Sequence, residues 1–380
     1  MQAAHNADPA KWEAARSFGM VYPGSVETES VLREAHALFF GENGRHFAAF
    51  PSIARFESEI VALTADLFHA PAPIGHVLSG GTECALVVMK TLRDQARAER
   101  GVDVPEVILP TTAYPVYALA AHYLGVRAVP IGIDTTYKAD LRALAAAITP
   151  NTIMMVGSAP GWPYGIIDPI GEMGEIAQAT RVHLHVDACV GGYQIPFIRR
   201  LGNPAENFDF SLPGVGSIAA DLHKFGYSAQ GSATLLYRDA ATHRYQRFTH
   251  PDWPMGEWSN DAFLTTRPAA SIATAWAVMN FLGEDGYLQL TKKVLKATQH
   301  VLSDIATITG LHVLGTPRTS VFAFGSDNTD LDINSVAGSL RDKGWFIRQR
   351  ANDCIHLVLT PPHAQVADVF LADLRQAATS

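Results

Sequence analysis

The sequence of 380 residues is poor in cysteine and lacks both long apolar runs and clusters of basic residues. Its three cysteines, Cys84, Cys189 and Cys354, are too few and too scattered for a disulfide framework or a zinc site of the CxxC type. No apolar run approaches the roughly 18 residues that span a membrane, and residues 1–24 do not resemble a signal peptide. These absences predict a cytoplasmic protein without a membrane span.

The charge balance argues against a further class of partner. The net charge is −8 at pH 7, and no group of lysines and arginines marks a surface for the phosphate backbone of a nucleic acid. Hydrophobic residues make up 48% of the chain and charged residues 17%, which is typical of a globular protein. The length allows one large domain and a smaller one, each with its own core.

Short apolar runs alternate with longer helical patterns through the first two thirds of the chain. This alternation predicts an α/β architecture, in which a mostly parallel sheet of seven strands is covered by helices on both faces. The predicted strands are His76–Ser79, Val107–Pro110, Ala128–Ile131, Thr152–Ser158, Val182–Ala188, Ser217–Leu222 and Ala233–Tyr237.

The alternation of predicted strands and helices changes near residue 285. A helical pattern runs from about Ala269 to Gly310, with a break expected at Gly283 and Gly286. Four further strands, at His312–Leu314, Ser320–Phe324, Trp345–Arg348 and Ile355–Thr360, and two helices, at Ile333–Lys343 and His363–Ala378, follow it. We therefore expect an N-terminal arm over residues 1–50, a large domain over 51–285 and a small α+β domain over 286–380.

Two charged residues stand at the ends of predicted strands. Asp187 closes one apolar run, and Lys224 follows another run 37 residues later. Such a pair suits pyridoxal phosphate (PLP), because the lysine can form a Schiff base while the carboxylate keeps the pyridine nitrogen protonated. Taken singly, the lysine can equally be a solvated charge, and the aspartate a helix cap or turn residue.

Further polar residues fall where the same strands end. Ser79 and Ser158 lie at such ends, and ligands of open α/β sheets gather at the carboxyl edge. The glycines in Ser79-Gly-Gly-Thr-Glu83 allow close backbone approach, and the helix that follows offers free amides to an anion. The alternative is a tight turn in which Thr82 caps that helix.

Three histidines allow more than one interpretation. His183, His185 and Asp187 alternate along one strand and so share a face, which is one arrangement for metal ligands. Strands of a parallel sheet are buried on both faces, however, and this favours hydrogen-bonded core histidines and no metal. His223 points away from Lys224 and can either hold a phosphate oxygen or belong to the core.

Four segments in this order resemble one family: Ser79–Glu83, Gly157–Pro160, His185–Gly192 and Asp221–Tyr227. They are similar to the PLP-dependent group II decarboxylases, and in particular to the sphingosine-1-phosphate lyase branch. The resemblance covers roughly residues 19–365. It implies a type I PLP-dependent transferase fold and a homodimer with active sites at the subunit interface.

The resemblance also implies how the cofactor is held. Lys224 is the Schiff-base lysine, and Asp187 is the partner of the pyridine nitrogen. Gly81, Thr82 and His223 bind the cofactor phosphate. Gly231 and Ser232 from the other subunit contribute to the same phosphate site. Tyr114 stands where the family usually has a histidine stacked on the ring, and Cys189 lies against the opposite face.

For the substrate, the resemblance implies contacts from the N-terminal arm. Tyr22 reaches the active site, while Asn43 and His46 match residues associated with the substrate phosphate. The alternative for Tyr22 and His46 is an arm packed on the dimer. Gln230 replaces a lysine that the lyases usually carry, and this removes a charge from phosphate recognition.

The reaction implied is cleavage of the Cα–Cβ bond of a 2-amino-3-hydroxy compound, with Lys224 and Tyr164 transferring protons. An aldehyde and phosphoethanolamine, or a related amine, are the expected products. An amino-acid decarboxylase is the main alternative, with Arg267 binding the carboxylate. Two further alternatives are less favoured: an aminotransferase, and a PLP-binding dimer without catalytic activity.

Overall fold

The structure is a computed structural model. It describes residues 1, 4–5, 7–8, 12–328, 331–350 and 354–379. Among these residues, no helix combines the length and the apolar character that crossing a bilayer requires.

The large sheet contains seven strands in the order β1-β7-β6-β5-β4-β2-β3. Strands β2 to β6 run parallel to one another, whereas β7 is antiparallel to both β1 and β6. This confirms the mostly parallel seven-stranded sheet. Its strands are β1 (Gly75–Leu78), β2 (Glu106–Pro110), β3 (Arg127–Ile131), β4 (Thr152–Ser158), β5 (His183–Asp187), β6 (Val215–Asp221) and β7 (Ala233–Tyr237).

Helices cover both faces of this sheet. The sheet strands β2, β4 and β7 are buried along their whole length, as expected for a layer enclosed between helices. The helices are α1 (Val26–Phe39), α2 (Pro51–Leu67), α3 (Gly81–Arg100), α4 (Val116–Leu124), α5 (Leu141–Ala147), α6 (Ile170–Thr180), α7 (Ile195–Arg200) and α8 (Ala240–His243). A two-stranded hairpin follows, made of β8 (Phe248–His250) and β9 (Trp258–Asn260).

The long helix α9 (Ala269–Ile305) leads into the small domain. Gly283 interrupts it with φ 52° and ψ −168°, a backbone conformation that favours glycine, so the predicted break is present there. The small sheet is antiparallel, in the order β10-β11-β13-β12. Its elements are β10 (Leu311–Val313), β11 (Val321–Ser326), α10 (Ile333–Asp342), β12 (Arg348–Arg350), β13 (Cys354–Val358) and α11 (Ala367–Ala377).

The N-terminal segment packs on the small domain of its own chain. Ser17 forms a parallel bridge with Phe346, and the Phe18 ring stacks on His363 at 4.6 Å. This pairing explains why β12 begins later than the predicted strand: Trp345 and Ile347 point into the core while Phe346 pairs with the N-terminal segment. The domain limits at residues 50 and 285 stay predictions.

Candidate active site

A cavity of about 440 Å³ opens at the carboxyl ends of the central strands. Its volume falls within the usual range for small-molecule sites. The strand β4 contributes Ser158, β5 leads to Asp187, β6 leads to Asp221 and Lys224, and the turn after β1 contributes Gly81. Ten of the predicted site residues line it: Tyr22, Gly81, Thr82, Tyr114, Asp187, Cys189, His223, Lys224, Gln230 and Gly231.

Lys224 is held by a buried carboxylate on the floor of this cavity. Its Nζ lies 2.8 Å from Oδ2 of Asp221, which is only 3% exposed. Burial by itself disfavours the ammonium form, but the charge of Asp221 and its hydrogen bond outweigh this and raise the pKa of Lys224. Lys224 is therefore a charged amine that Asp221 holds in place.

Asp187 lies at the end of β5, on the strand next to the one that leads to Lys224. Its Oδ1 accepts a hydrogen bond from the backbone amide of Cys189 at 3.0 Å. Burial raises the pKa of Asp187, while the positive charge of Lys224 opposes that effect. A buried carboxylate in this state gains most from a cationic partner, and the protonated nitrogen of a pyridine ring is such a partner.

The turn between β1 and α3 forms a cradle without side chains. Gly80 has φ 148°, and Gly81 is the first residue of α3, a helix of 20 residues with its amino end at the cavity. A Cβ atom on Gly81 would lie 2.7 Å from Sγ of Cys189 and 3.3 Å from Oδ1 of Asp221. Only a glycine fits there, and the exposed amides of the helix end suit a phosphate group.

Two neighbours frame this cradle. His223 approaches Gly80, since a Cβ there would lie 3.4 Å from its Cε1, and its Nδ1 donates to the carbonyl of Ser232 at 2.7 Å. Glu83 accepts hydrogen bonds from the amides of Ser79, Phe263 and Leu264. These contacts fasten the cradle to the loop that follows β9.

Three aromatic side chains, those of Tyr22, Tyr114 and Trp162, also line the cavity. Burial raises the pKa of Tyr22 to about 12, although the nearby charges of Lys224 and Arg348 act in the opposite direction. Tyr114 contacts Trp162 edge to face at 6.3 Å, and the Arg348 guanidinium lies 5.6 Å from the Trp162 ring centre. Tyr22 is therefore a neutral phenol near both cations.

Asp221, Trp162 and Arg348 are among the lining residues that were not predicted to belong to the site. Asp221 belongs to the segment Asp221–Tyr227, which carries the family resemblance, and its position at a strand end was the available signal. Trp162 follows the segment Gly157–Pro160 directly. Arg348 had no signal, because it belongs to the small domain and reaches the cavity only through the tertiary fold.

Arg267 lies outside the cavity lining and is engaged elsewhere. Its guanidinium pairs with Glu57 at 2.8 Å and donates to the carbonyls of Val77 and Gly44. Both side chains of the pair are largely buried, with exposed fractions of 11% and 8%. Through these contacts, Arg267 connects the segment before α2, the helix α2 and the strand β1. Its guanidinium is therefore already paired with a carboxylate, that of Glu57.

Replacing Arg267 by methionine is expected to lower the free energy of unfolding by about 3 kcal/mol, because Glu57 would remain buried without its partner. Urea unfolding of the cofactor-free protein measures the change. Arg247→Met is the matched control, since Arg247 pairs with Asp261 at 2.9 Å but is 59% exposed. The control should lose less than about 1 kcal/mol. Equal losses for both variants would contradict the structural role of Arg267.

Four other predicted residues also lie outside the lining. Asn43 accepts hydrogen bonds from the amides of Arg45 and Arg267, and His46 is exposed in the next turn. Tyr164 is buried with its ring 4.4 Å from that of Tyr137. The Ser232 hydroxyl lies 2.6 Å from that of Ser228. The roles assigned to these residues stay predictions, as does the contribution of Gly231 and Ser232 to a partner subunit.

The two strand histidines are bridged by the hydroxyl of Ser217. The Ser217 hydroxyl lies 2.8 Å from Nε2 of His183 and from Nδ1 of His185, and the Tyr117 hydroxyl lies 2.9 Å from Nε2 of His185. Burial lowers the pKa of His183 to about 4 and that of His185 to about 3. Within the described ranges, no group of three histidine, cysteine or acidic residues could hold a metal ion.

The residues present fit PLP. A side-chain-free cradle for a phosphate, a lysine for a covalent bond and a buried carboxylate for a ring nitrogen line one cavity. The buried hydroxyl of Ser158 and Oδ1 of Asp221 have no hydrogen-bond partner, so polar groups at the cavity await a ligand. Fold and site together define a type I PLP-dependent enzyme.

Comparison with known proteins assigns the family. The pyridoxal-dependent decarboxylase conserved domain matches residues 11–324. Sphingosine-1-phosphate lyase of Arabidopsis thaliana is 39% identical over 371 residues, covering 94% of this chain and 68% of that protein. Sphingosine-1-phosphate lyase 1 of Rattus norvegicus is 37% identical, covering 97% and 65%. A probable L-tyrosine/L-aspartate decarboxylase of Methanothermobacter thermautotrophicus is 31% identical, covering 89% and 92%.

Solved structures of other proteins have the same fold as this chain. A sphingosine-1-phosphate lyase of Burkholderia pseudomallei superposes with a TM-score of 0.95 at 38% identity, covering all of this chain and 89% of the other. A glutamate decarboxylase of Lactobacillus brevis shares the fold, with a TM-score of 0.85 at 18% identity, covering 99% and 90%. The chain belongs to the pyridoxal-dependent decarboxylase family. It is a PLP-dependent lyase, and it spans about two thirds of the length of the plant and rat relatives.

Proposed function

We propose that this chain cleaves the Cα–Cβ bond of a phosphorylated 2-amino-3-hydroxy substrate, yielding an aldehyde and phosphoethanolamine. The observation that carries the proposal is similarity over nearly the whole chain to proteins named sphingosine-1-phosphate lyases, in the plant, the rat and the bacterium. The cavity that Lys224 and Asp187 both line supports this proposal, because it provides the groups that such a reaction needs.

The chain's own residues have separable tasks. PLP, when bound, withdraws electrons from Cα of an amino substrate. The carboxylate of Asp187 holds a proton on the ring nitrogen, and the amides of the Gly81 cradle hold the phosphate. The Lys224 amine, once released, takes up the hydroxyl proton of the substrate and later returns a proton to carbon. Tyr22, a neutral phenol on the cavity lining, would donate a hydrogen bond to the substrate.

Arg348 is the second cation at the cavity, and we assign the substrate phosphate to it. Lys224 already pairs with Asp221, whereas the guanidinium of Arg348 has neither a carboxylate nor a hydrogen-bond partner among the described residues. Its guanidinium lies at the mouth beside Trp162, where it is open to solvent. A guanidinium binds phosphate oxygens in a two-pronged geometry, while Gln230 on the cavity lining supplies no charge.

A homodimer belongs to this proposal. The hairpin of β8 and β9 and the loop after it expose large apolar side chains, with exposed fractions of 53% for Phe248, 83% for Met255 and 56% for Phe263. Clustered exposed apolar groups of this kind are typical of interaction surfaces. Because Glu83 binds the amides of Phe263 and Leu264, a second copy on this surface would also brace the cradle. Light scattering of the purified protein tests the dimer.

Product analysis tests the reaction. The protein with PLP is incubated with a phosphorylated long-chain amino alcohol and, separately, with amino acids. Mass spectrometry should detect the aldehyde and phosphoethanolamine together, in equal amounts. Release of carbon dioxide from amino acids, without any aldehyde from the first substrate, would instead establish decarboxylation. Similarity to the archaeal decarboxylase favours this second function. Against it, Arg267, the residue expected to bind a carboxylate, is paired with Glu57.

Introducing a charge at Gln230 is expected to improve phosphate recognition. Gln230→Lys should lower KM for a phosphorylated substrate about tenfold, since one charge-assisted hydrogen bond contributes about 1.5 kcal/mol. The value of kcat should change little. Gln95→Lys is the matched control, because Gln95 lies on the exposed side of α3 and bonds to Glu99. An unchanged KM in Gln230→Lys would show that this position does not face the substrate phosphate.

A further inference from the structure

Asp221 is the buried acidic residue in closest contact with the catalytic amine, and neither the motif nor the proposed reaction assigns it a task. It ends β6 and is 3% exposed. Oδ2 lies 2.8 Å from Nζ of Lys224 and 3.6 Å from Nε2 of His223. Oδ1 is buried without any hydrogen-bond partner. One oxygen is therefore committed to Lys224 while the other is unsatisfied, which is costly for a buried carboxylate.

The carboxylate also borders the phosphate cradle. A Cβ on Gly81 would lie 3.3 Å from Oδ1 and 3.5 Å from Oδ2. Asp221 thus stands between the amine and the place where an anionic cofactor is held. Its negative charge repels that anion and attracts the lysine, so it favours the protein without cofactor over the protein with it.

The surrounding titratable groups do not replace this pairing. Asp187 also attracts Lys224, but Asp221 acts on it more strongly and bonds to it directly. Burial raises the pKa of the cysteines and tyrosines packed around the carboxylate, so they stay neutral near pH 7. The titratable and charged groups that face Asp221 or Lys224 are Tyr22, Cys84, Tyr117, Asp187, Cys189, Tyr193 and His223.

We propose that Asp221 is a positioning residue that docks Lys224 as an ammonium and thereby controls covalent capture of PLP. The docked amine is aimed into the cavity but carries no free electron pair. It becomes a nucleophile only when it loses a proton, and Asp221 makes that loss harder.

The covalent bond between Lys224 and PLP forms in two steps. The ammonium first releases one proton to solvent. The free amine then attacks the aldehyde carbon of PLP, a C=N bond replaces the C=O bond, and the oxygen leaves as water with the two remaining amine protons. No oxidant or reductant takes part. The pH dependence of capture therefore reports the proton on Lys224.

The first test measures the amine itself in the cofactor-free protein. Competitive acetylation at several pH values, read by mass spectrometry, gives the reactivity of Lys224 beside that of Lys293, which is exposed on α9. Lys224 should react at least tenfold more slowly than Lys293 near pH 8 in the wild-type protein, and Asp221→Asn should speed it by at least tenfold. Fast labelling of Lys224 in the wild-type protein would overturn the proposal without any variant.

The second test follows capture by the visible absorption of covalently bound PLP. The rate profile of Asp221→Asn should shift to lower pH by at least one unit, whereas Asp94→Asn should leave it unchanged. Asp94 is a fitting control because it pairs with Lys90 at 3.2 Å on the outer part of α3. A profile that keeps its midpoint in Asp221→Asn would overturn the proposal.

Pyridoxamine phosphate separates this effect from general electrostatics, since it has no aldehyde and cannot be captured. If Asp221→Asn changed only its affinity, with no shift in the capture profile, Asp221 would act on the phosphate and the docking role would fail. The proposal rests on the PLP cofactor and not on the substrate. A protein that captures PLP as described but cleaves no phosphorylated amino alcohol would refute the proposed reaction alone.

Discussion

Replacing Lys224 by alanine will prevent covalent attachment of PLP and lower the rate of product formation by about 10³-fold or more. The reason is that one amine supplies both the covalent link and the proton transfer at carbon, and general acid–base catalysis alone contributes about 10²- to 10⁴-fold. No other lysine lines the cavity in the described part of the chain. The wild-type protein with PLP should be yellow, and the variant should lack the absorption band of the covalently bound cofactor.

The matched control for this variant is Lys293→Ala, on an exposed position of the long helix. It should retain the band and full activity. PLP should still associate with Lys224→Ala without a covalent bond, because the Gly81 cradle and Asp187 remain. A colourless wild-type protein after incubation with excess PLP, or a variant that keeps the band, would end this assignment.

Replacing Asp187 by asparagine will lower kcat about 10²-fold while the cofactor stays bound. Asparagine keeps a side-chain oxygen for the Cys189 amide, which donates to Oδ1 at 3.0 Å in the wild-type protein. It removes the negative charge that keeps the pyridine nitrogen protonated. A charge-assisted hydrogen bond to a buried carboxylate contributes up to about 3 kcal/mol, which corresponds to roughly two orders of magnitude in rate.

Two measurements separate this role from a structural one. The ratio of bound PLP to protein should stay near one, and the melting temperature should remain within a few degrees of the wild type. Asp187→Glu keeps the charge on a longer side chain and should recover part of the rate. An Asp187→Asn protein with wild-type kcat would show that the ring nitrogen has another partner.

The large sheet was predictable because its strands are read from local patterns. In a parallel sheet enclosed by helices, each strand is a short apolar run bounded by turn residues, and all seven runs correspond to observed strands. The predicted helix break at Gly283 has the same origin, since glycine tolerates the observed φ of 52°. The small domain was harder: β12 begins at Arg348 because the preceding residues pack against the N-terminal segment, a contact distant in sequence.

Charge pairing was not predictable from local patterns. The sequence shows no partner for Arg267, which the decarboxylase alternative would use to bind a substrate carboxylate. The fold pairs it with Glu57, more than 200 residues earlier in the chain. Asp221 and Lys224 are only three residues apart, yet nothing in their spacing shows that the carboxylate turns toward the amine rather than toward solvent. Partner choice depends on burial and distance in three dimensions, and these are properties of the folded chain.

The amino-acid sequence alone determines the order of strands and helices and the placement of Lys224, Asp187 and the glycine pair where strands end. It does so because apolar periodicity and glycine act over a few residues. Only the tertiary structure decides that Arg348 from the small domain reaches the cavity, that Asp221 holds the amine and that Arg267 is withdrawn from it. Electrostatic contacts act through space, so they are settled when distant segments pack.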